Sequence, residues 1–327
     1  MIVLGIESSC DETGAAVVKN GREVLSNVVA SSLKFHSKYG GVVPEIASRM
    51  QLESIAGVYS EALKAAGIRA EQIGLVSLTV KPGLPGSLLV GISFAKALAL
   101  SLGKPLLGVN HIYSHIYANF LCHRNIKLPS IGLVVSGGHT SLFYIKDFTD
   151  IRQIGSTRDD ACGEAFDKVA KILGAGYPGG PLIEKLARRG NKDKIRLACC
   201  GTSDELDFSF SGIKTAVLYY LKGRKISLAL KQDLAASFQE SAVEALVKKS
   251  LLACRRKKVK QLLVGGGVAA NNRFRRKLEA SSREAGIRCF FPRMELCMDN
   301  AAMVAGLAYQ LYKKGARDDL YLNMQSN

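Results

Sequence analysis

A hydrophobic strand that breaks into a turn of small hydroxyl residues and then resumes as strand occurs twice in this chain. The first copy is Gly5-Ile6-Glu7-Ser8-Ser9-Cys10-Asp11-Glu12-Thr13, and the second is Val134-Val135-Ser136-Gly137-Gly138-His139-Thr140-Ser141. Turns of this kind present backbone N–H groups beside hydroxyls, a cradle suited to phosphate oxygens. A third glycine run, Gly265-Gly266-Gly267, separates an apolar stretch at 261–264 from a helical pattern beginning near Asn271. One such turn can simply reverse the chain. Three at strand ends point to a duplicated, ligand-holding α/β scaffold.

Periodicity elsewhere supports that class. Short apolar runs at 2–6, 15–18, 75–80, 131–135, 142–145 and 261–264 predict strands, and three- and four-residue apolar spacing predicts helices at 87–102, 160–173, 181–189, 228–257, 271–285 and 299–313. The 327 residues favour two domains at roughly 100–200 residues each. We place them at 1–128 and 129–327, with the last helix, at about 299–314, free to pack back on the first domain. The element order resembles the actin, sugar-kinase and heat-shock-protein architecture, two related α/β domains around a nucleotide cleft. No G-x-x-x-x-G-K-[ST] and no G-x-G-x-x-G occurs, which disfavours a P-loop enzyme or a Rossmann dehydrogenase.

Lys and Arg outnumber Asp and Glu by 45 to 28, a net charge of +17 that suits a polyanionic partner. The clusters Arg255-Arg256-Lys257-Lys258-Val259-Lys260 and Arg273-Phe274-Arg275-Arg276-Lys277 are candidate nucleic-acid contacts, or ordinary solvated helix faces. Eight cysteines without a C-x-x-C argue against a zinc knuckle or a disulfide framework and fit a reduced, cytoplasmic chain. Redox roles for Cys162 or the adjacent Cys199-Cys200 lack a supporting motif. The amino terminus lacks a basic n-region, so it reads as a strand and not a signal peptide. The apolar stretch 84–103 carries Lys96 and opens on Pro85-Gly86, which suits a buried helix better than a membrane span.

Two of the five histidines, His111 and His115, stand at i, i+4. On a helix both imidazoles share one face, ~5–6 Å apart, and can bind one transition metal. Asp299 is the candidate third ligand, although its place before a helix also suits an N-cap. A metalloprotease of the H-E-x-x-H type is excluded because Ile112 stands where its base must be. Glu164 and Asp167 share a helix face and could meet a metal, a ribose or an amine, or merely favour the helix dipole. The loop Tyr177-Pro178-Gly179-Gly180-Pro181 would let a planar ligand approach the backbone. Asp11 and Glu12, in the first turn, are candidate proton acceptors.

Taken together, residues 5–13, 111–115, 135–140, 163–168, 177–181, Phe208-Ser209-Phe210-Ser211-Gly212-Ile213-Lys214-Thr215, 265–271 and 297–300 are similar, in collinear order, to the bacterial TsaD family. These are tRNA N6-adenosine threonylcarbamoyltransferases, formerly known as O-sialoglycoprotein endopeptidases. The resemblance implies transfer of threonylcarbamoyl from threonylcarbamoyl-adenylate to N6 of the adenine beside the anticodon in tRNAs reading ANN codons. It implies one divalent ion, iron(II) or zinc, on His111, His115 and Asp299, and a substrate loop of Val135, Ser136, Gly137, Gly138 and His139. Adenylate contacts would come from Asp167, Gly180 and Asn271, with Glu184 as a further contact. Partners would be tRNA, a shorter paralogous protein and a small ATPase, with no membrane. The chain departs from the family at Tyr113, where members usually carry glutamate, at Glu184, where they often carry aspartate, at Lys81-Pro82-Gly83-Leu84, and at Leu197-Ala198-Cys199-Cys200-Gly201. A small-molecule kinase of the same fold and a non-catalytic scaffold are the alternatives, and the scaffold should lack the histidine pair.

Overall fold

The computed structural model describes residues 1–197 and 202–325, so the 198–201 part of the last departure, with Cys199 and Cys200, lies outside the described residues. The elements run β1 (Ile2–Glu7), β2 (Glu12–Lys19), β3 (Glu23–Ser31), α1 (Leu33–His36), α2 (Pro44–Ala66), β4 (Leu75–Lys81), α3 (Pro85–Leu102), β5 (Leu106–Asn110) and α4 (His111–Cys122). They continue β6 (Ser130–Val135), β7 (Thr140–Asp147), β8 (Asp150–Ser156), α5 (Cys162–Ile172), α6 (Gly179–Ala187), α7 (Ser211–Leu221) and α8 (Leu228–Lys257). The chain closes with β9 (Gln261–Gly265), α9 (Asn272–Glu284), β10 (Arg288–Phe290) and α10 (Ala301–Lys313). Two compact units result: residues 1–125 with 292–327, and residues 126–291. Residues 292–327, with helix α10, fall in the first unit.

In the first unit the sheet order is β3-β2-β1-β4-β5. β1 pairs antiparallel with β2 and parallel with β4. A central strand covered on both faces must be apolar almost throughout, and β1 reads IVLGIE. Leu4 and Ile6 join a cluster with Ile55, Val58 and Ala62 of α2 and Ile92, Ala95 and Ala99 of α3. Gly5, between them, faces the other way. A Cβ there would fall 2.3 Å from the Ala301 carbonyl oxygen and 2.9 Å from the Ala305 nitrogen, so only glycine lets α10 lie directly across β1. α10 is correspondingly small-sided, with Ala301, Ala302, Ala305, Gly306 and Ala308 all buried.

Pro at the first helical position and left-handed Gly at the end delimit both α2 (Pro44, Gly67) and α3 (Pro85, Gly103). α3 is the one helix long and apolar enough to cross a membrane, among the described residues. It is buried along one face only: Leu88, Ile92, Ala95 and Ala99 are covered, whereas Leu89 and Leu100 are exposed.

The second unit repeats the plan. Its sheet order is β10-β9-β6-β7-β8, with β6 antiparallel to β7 and parallel to β9. The duplication expected from the two turns is therefore present as topology, and two such units make the actin and sugar-kinase type of fold. The edge strands β3, β5, β8 and β10 and the helices α2 and α7 did not stand out in the sequence. β8 (DIRQIGS) is only partly covered, and a strand exposed on one side lacks the continuous apolar run that marks β6.

Candidate functional site

The strongest constellation lies in the first unit. Asn110 caps α4 by accepting from the Ile112 and Tyr113 amides at 2.8 and 3.2 Å, which starts the helix at His111. One turn later comes His115, and the two rings lie edge to face with centroids 4.6 Å apart. The cap of α10 is Asn300, whose Oδ1 accepts from the Met303 amide at 3.0 Å. That removes the capping explanation for Asp299, which turns its carboxylate to the histidines instead. Its Oδ1 lies 3.1 Å from His115 Nε2 and 3.5 Å from His111 Nε2.

One donor atom from each of His111, His115 and Asp299 lies within 4.8 Å of the others, a group that could hold a metal ion. Two imidazole nitrogens and one carboxylate oxygen fit a divalent transition metal with positions left open. Glu7, which sequence reasoning passed over, accepts on Oε2 from His111 Nδ1 at 3.0 Å. Only its position beside the first turn could have signalled it. Burial opposes charge on all these groups. The Glu7 and Asp299 charges nevertheless hold His111 well above the usual histidine range, and His111 holds both acids below theirs. Burial and the His111 charge press His115 down, toward the neutral form a metal ligand requires.

The first turn, residues 8–11, is not an open phosphate cradle. Ser8 and Ser9 are buried; their hydroxyls meet the Ser87 carbonyl at 2.9 Å and His111 Nδ1 at 3.1 Å. Gln51 Nε2 donates to the Cys10 and Glu12 carbonyls at 2.9 and 3.1 Å. Asp11 and Glu12 are half-buried beside the metal group. Burial, then the charges of Asp299 and Asp11, push the Glu12 carboxyl up to about 10, so without a cation it is a neutral donor and not a base.

In the second unit the turn at residues 136–139 is open. Val135 is buried as the last residue of β6. The turn closes on itself, Ser136 N–H donating to the His139 carbonyl at 2.8 Å and His139 N–H to Ser136 Oγ at 3.1 Å. The amides of Gly137 and Gly138 find no partner among the described residues, and a Cβ on either glycine would meet nothing within 4 Å. Packing does not require glycine at these positions. It does at Gly163, whose Cβ would lie 2.5 Å from the Ser136 carbonyl oxygen. That close approach lets the start of α5 hold the turn, through Gly163 N–H to Ser136 O at 3.1 Å and Cys162 N–H to Thr140 Oγ1 at 2.9 Å.

Asp167 Oδ1 accepts from the Gly179 amide at 2.6 Å and so fixes the start of α6, where a Cβ on Gly180 would meet open space. Glu164 pairs within its own helix, its carboxylate 2.8 Å from Lys168. Asn271 caps α9, accepting from the Phe274 amide at 2.9 Å, and donates to Gln239 Oε1 at 2.9 Å. Glu184 accepts from Asn272 Nδ2 at 2.8 Å and from Arg188 at 3.2 Å. The structure thus gathers Glu184 and Asn271 at the start of α9, and Asp167 with Gly180 at the start of α6.

The second basic cluster is largely committed. Arg273 makes a two-pronged contact with Glu240 at 2.7 and 2.8 Å, and Lys277 joins it at 2.8 Å. Burial raises the Glu240 carboxyl, but these two cations outweigh it and bring it down to about 2. Arg275 donates to the Ala269 carbonyl at 2.6 Å, which leaves Arg276 exposed. Arg255, Lys257, Lys258 and Lys260 are also exposed, where α8 ends and cations favour the helix dipole. No disulfide forms among the described residues; burial pushes the Cys254 thiol up to about 12, far from a reactive thiolate.

Residues 23–306 match the family model of TsaD, tRNA N6-adenosine threonylcarbamoyltransferase. A relative of that name from Clostridium beijerinckii is 52% identical over 329 residues, covering 100% of this chain and 97% of its own. Among solved structures, T.kodakarensis HypF is similar with a TM-score of 0.66 at 17% identity, over 96% of this chain and 48% of that one. Component A of the Acidaminococcus fermentans (R)-2-hydroxyglutaryl-CoA dehydratase gives 0.57 at 19% identity, over 96% and 99%. At such identities the two structures speak for the fold alone.

Proposed function

The chain belongs to the TsaD family of tRNA N6-adenosine threonylcarbamoyltransferases, and from that premise we propose that it moves threonylcarbamoyl from threonylcarbamoyl-adenylate to N6 of an adenine in tRNA, releasing AMP. The adenine is the one beside the anticodon in tRNAs reading ANN codons. The observation that carries this reading is the full-length likeness together with the convergence of His111, His115 and Asp299, which a non-catalytic scaffold of the same fold has no reason to keep.

The second unit would bind the adenylate. Phosphate and anhydride oxygens suit the two unpartnered amides of Gly137 and Gly138, flanked by Val135, Ser136 and His139. Asp167, Gly180, Glu184 and Asn271 would meet the ribose and base. Since Asn271 spends its oxygen on capping and one N–H on Gln239, it has one N–H left to give. In the first unit, an iron(II) or zinc ion on His111, His115 and Asp299 supplies a Lewis acid for a carbonyl or carboxylate oxygen. Asp11 and Glu12 are neighbours at the half-buried end of the first turn, and we assign proton acceptance from the adenine amine to this pair. The amine is a weak nucleophile, so holding it at the carbonyl supplies much of the rate. A shorter paralogous protein, a small ATPase and a cytoplasmic setting complete the reading.

The test is to incubate the purified chain with threonylcarbamoyl-adenylate, unmodified tRNA and the partner proteins, then digest the RNA. Threonylcarbamoyladenosine should appear with stoichiometric AMP. A phosphorylated small molecule in its place would favour a kinase of the same fold.

A further inference from the structure

A carboxylate buried at the end of a central strand needs a reason. Glu7 has 1% side-chain exposure, and an ionised group there costs several kcal/mol unless hydrogen bonds compensate it. Both oxygens are engaged. Oε1 accepts from the Ser9 amide at 2.7 Å, while Oε2 accepts from the Thr79 hydroxyl at 2.6 Å and from His111 Nδ1 at 3.0 Å. Thr79 lies on β4, hydrogen-bonded to β1, so the sheet itself sets the place of the carboxylate.

The two histidines differ in this respect. Nε2 is the ring nitrogen on the Asp299 side and so the one a shared ion would take, which puts the one proton left on a metal-binding His111 on Nδ1, 3.0 Å from the Glu7 carboxylate. Its Nε2 is then bare and directed at Asp299 Oδ1. His115 Nδ1 is buried without a partner among the described residues, so on that side of the ring only packing holds it, its Nε2 meeting Asp299.

We propose that Glu7 is a positioning residue for the cation site: through His111 Nδ1 it keeps His111 Nε2 bare and aimed, and thereby sets metal affinity, whereas His115 Nδ1 has no such partner among the described residues. Outer partners of ligating histidines typically contribute 10–100-fold in affinity. The proposal rests on the cation reading given above, and the experiment separates the two.

The full chain, stripped of metal, is titrated with Zn²⁺ and Co²⁺ against a chromogenic chelator, and the visible absorption of the Co²⁺ form is recorded. Glu7→Gln should bind about 10–100-fold more weakly and shift the Co²⁺ bands, with far-UV circular dichroism unchanged. Thr79→Val, which removes one bond to Oε2, should show a smaller loss in the same direction. If Glu7→Gln matches the parent in affinity and bands while His115→Ala loses the metal, the proposal is overturned and the cation reading stands. If the parent binds neither ion, or His115→Ala binds as the parent does, the cation reading falls and takes the proposal with it. Should Glu7→Gln not fold, Thr79→Val decides, and parental affinity in that variant overturns the proposal.

Discussion

The two units carry the same sheet, with antiparallel pairs on one side of β1 or β6 and parallel pairs on the other, yet their equivalent turns have opposite characters. Residues 8–11 are packed from within by Gln51, Ser87 and His111, while residues 136–139 present two glycine amides to open space. The first turn is packed against the group of His111, His115 and Asp299 that could hold an ion, while the second leaves two amides open. Topology repeats because strand order follows from burying apolar runs, whereas chemistry depends on which side chains fill the turn.

The sharpest way to break this comparison is Gly5→Val. With no space between β1 and Ala301, the side chain should displace α10, lower stability by roughly 3 kcal/mol and abolish metal binding with it. Chemical denaturation with metal analysis checks both, and a variant that keeps its ion and its midpoint would show that α10 does not need the close approach. His115→Ala should be milder, losing the ion and transferase activity but leaving the adenylate affinity of the second unit near parental. Calorimetry with a non-hydrolysable adenylate would reveal a loss there, which would contradict separate roles for the units.

Gly137→Val probes the open turn. Because its Cβ meets no protein atom, stability should stay within about 0.5 kcal/mol, yet adenylate affinity should fall about tenfold or more, ~1.4 kcal/mol. Equal affinity in that variant would remove the turn from the ligand site. The smallest effect concerns Glu240. Its folded value lies near 2, below the ordinary 4.5, so it stabilises the fold above pH ~4.5 and that contribution fades as the pH falls toward 2. In Arg273→Gln the acid-dependent loss should shrink. A parental pH profile in Arg273→Gln would mean that Lys277 alone sustains the shift. Salt-dependent RNA binding should likewise respond less to Arg273 than to Arg276, because Glu240 already pairs Arg273.

What was legible in the sequence was whatever depends on neighbours along the chain. Central strands such as β1 and β6 announced themselves as apolar runs, α8 followed its periodicity from 228 to 257, and the spacing of His111 and His115 placed both rings on one face. Only tertiary structure could decide that Asn300 and not Asp299 caps α10, because either residue has the chemistry. It alone decided that Arg273 and Lys277 are spent on Glu240 from another helix, and that Ser8 and Ser9 are buried while Gly137 is open. Glu7 makes the same point most simply. A carboxylate beside a hydroxyl-rich turn has no evident purpose until the sheet brings Thr79 to it and α4 sets His111 against it, and those contacts span 72 and 104 residues of chain. Local pattern determines which elements form, but partners that distant are chosen by how the elements pack.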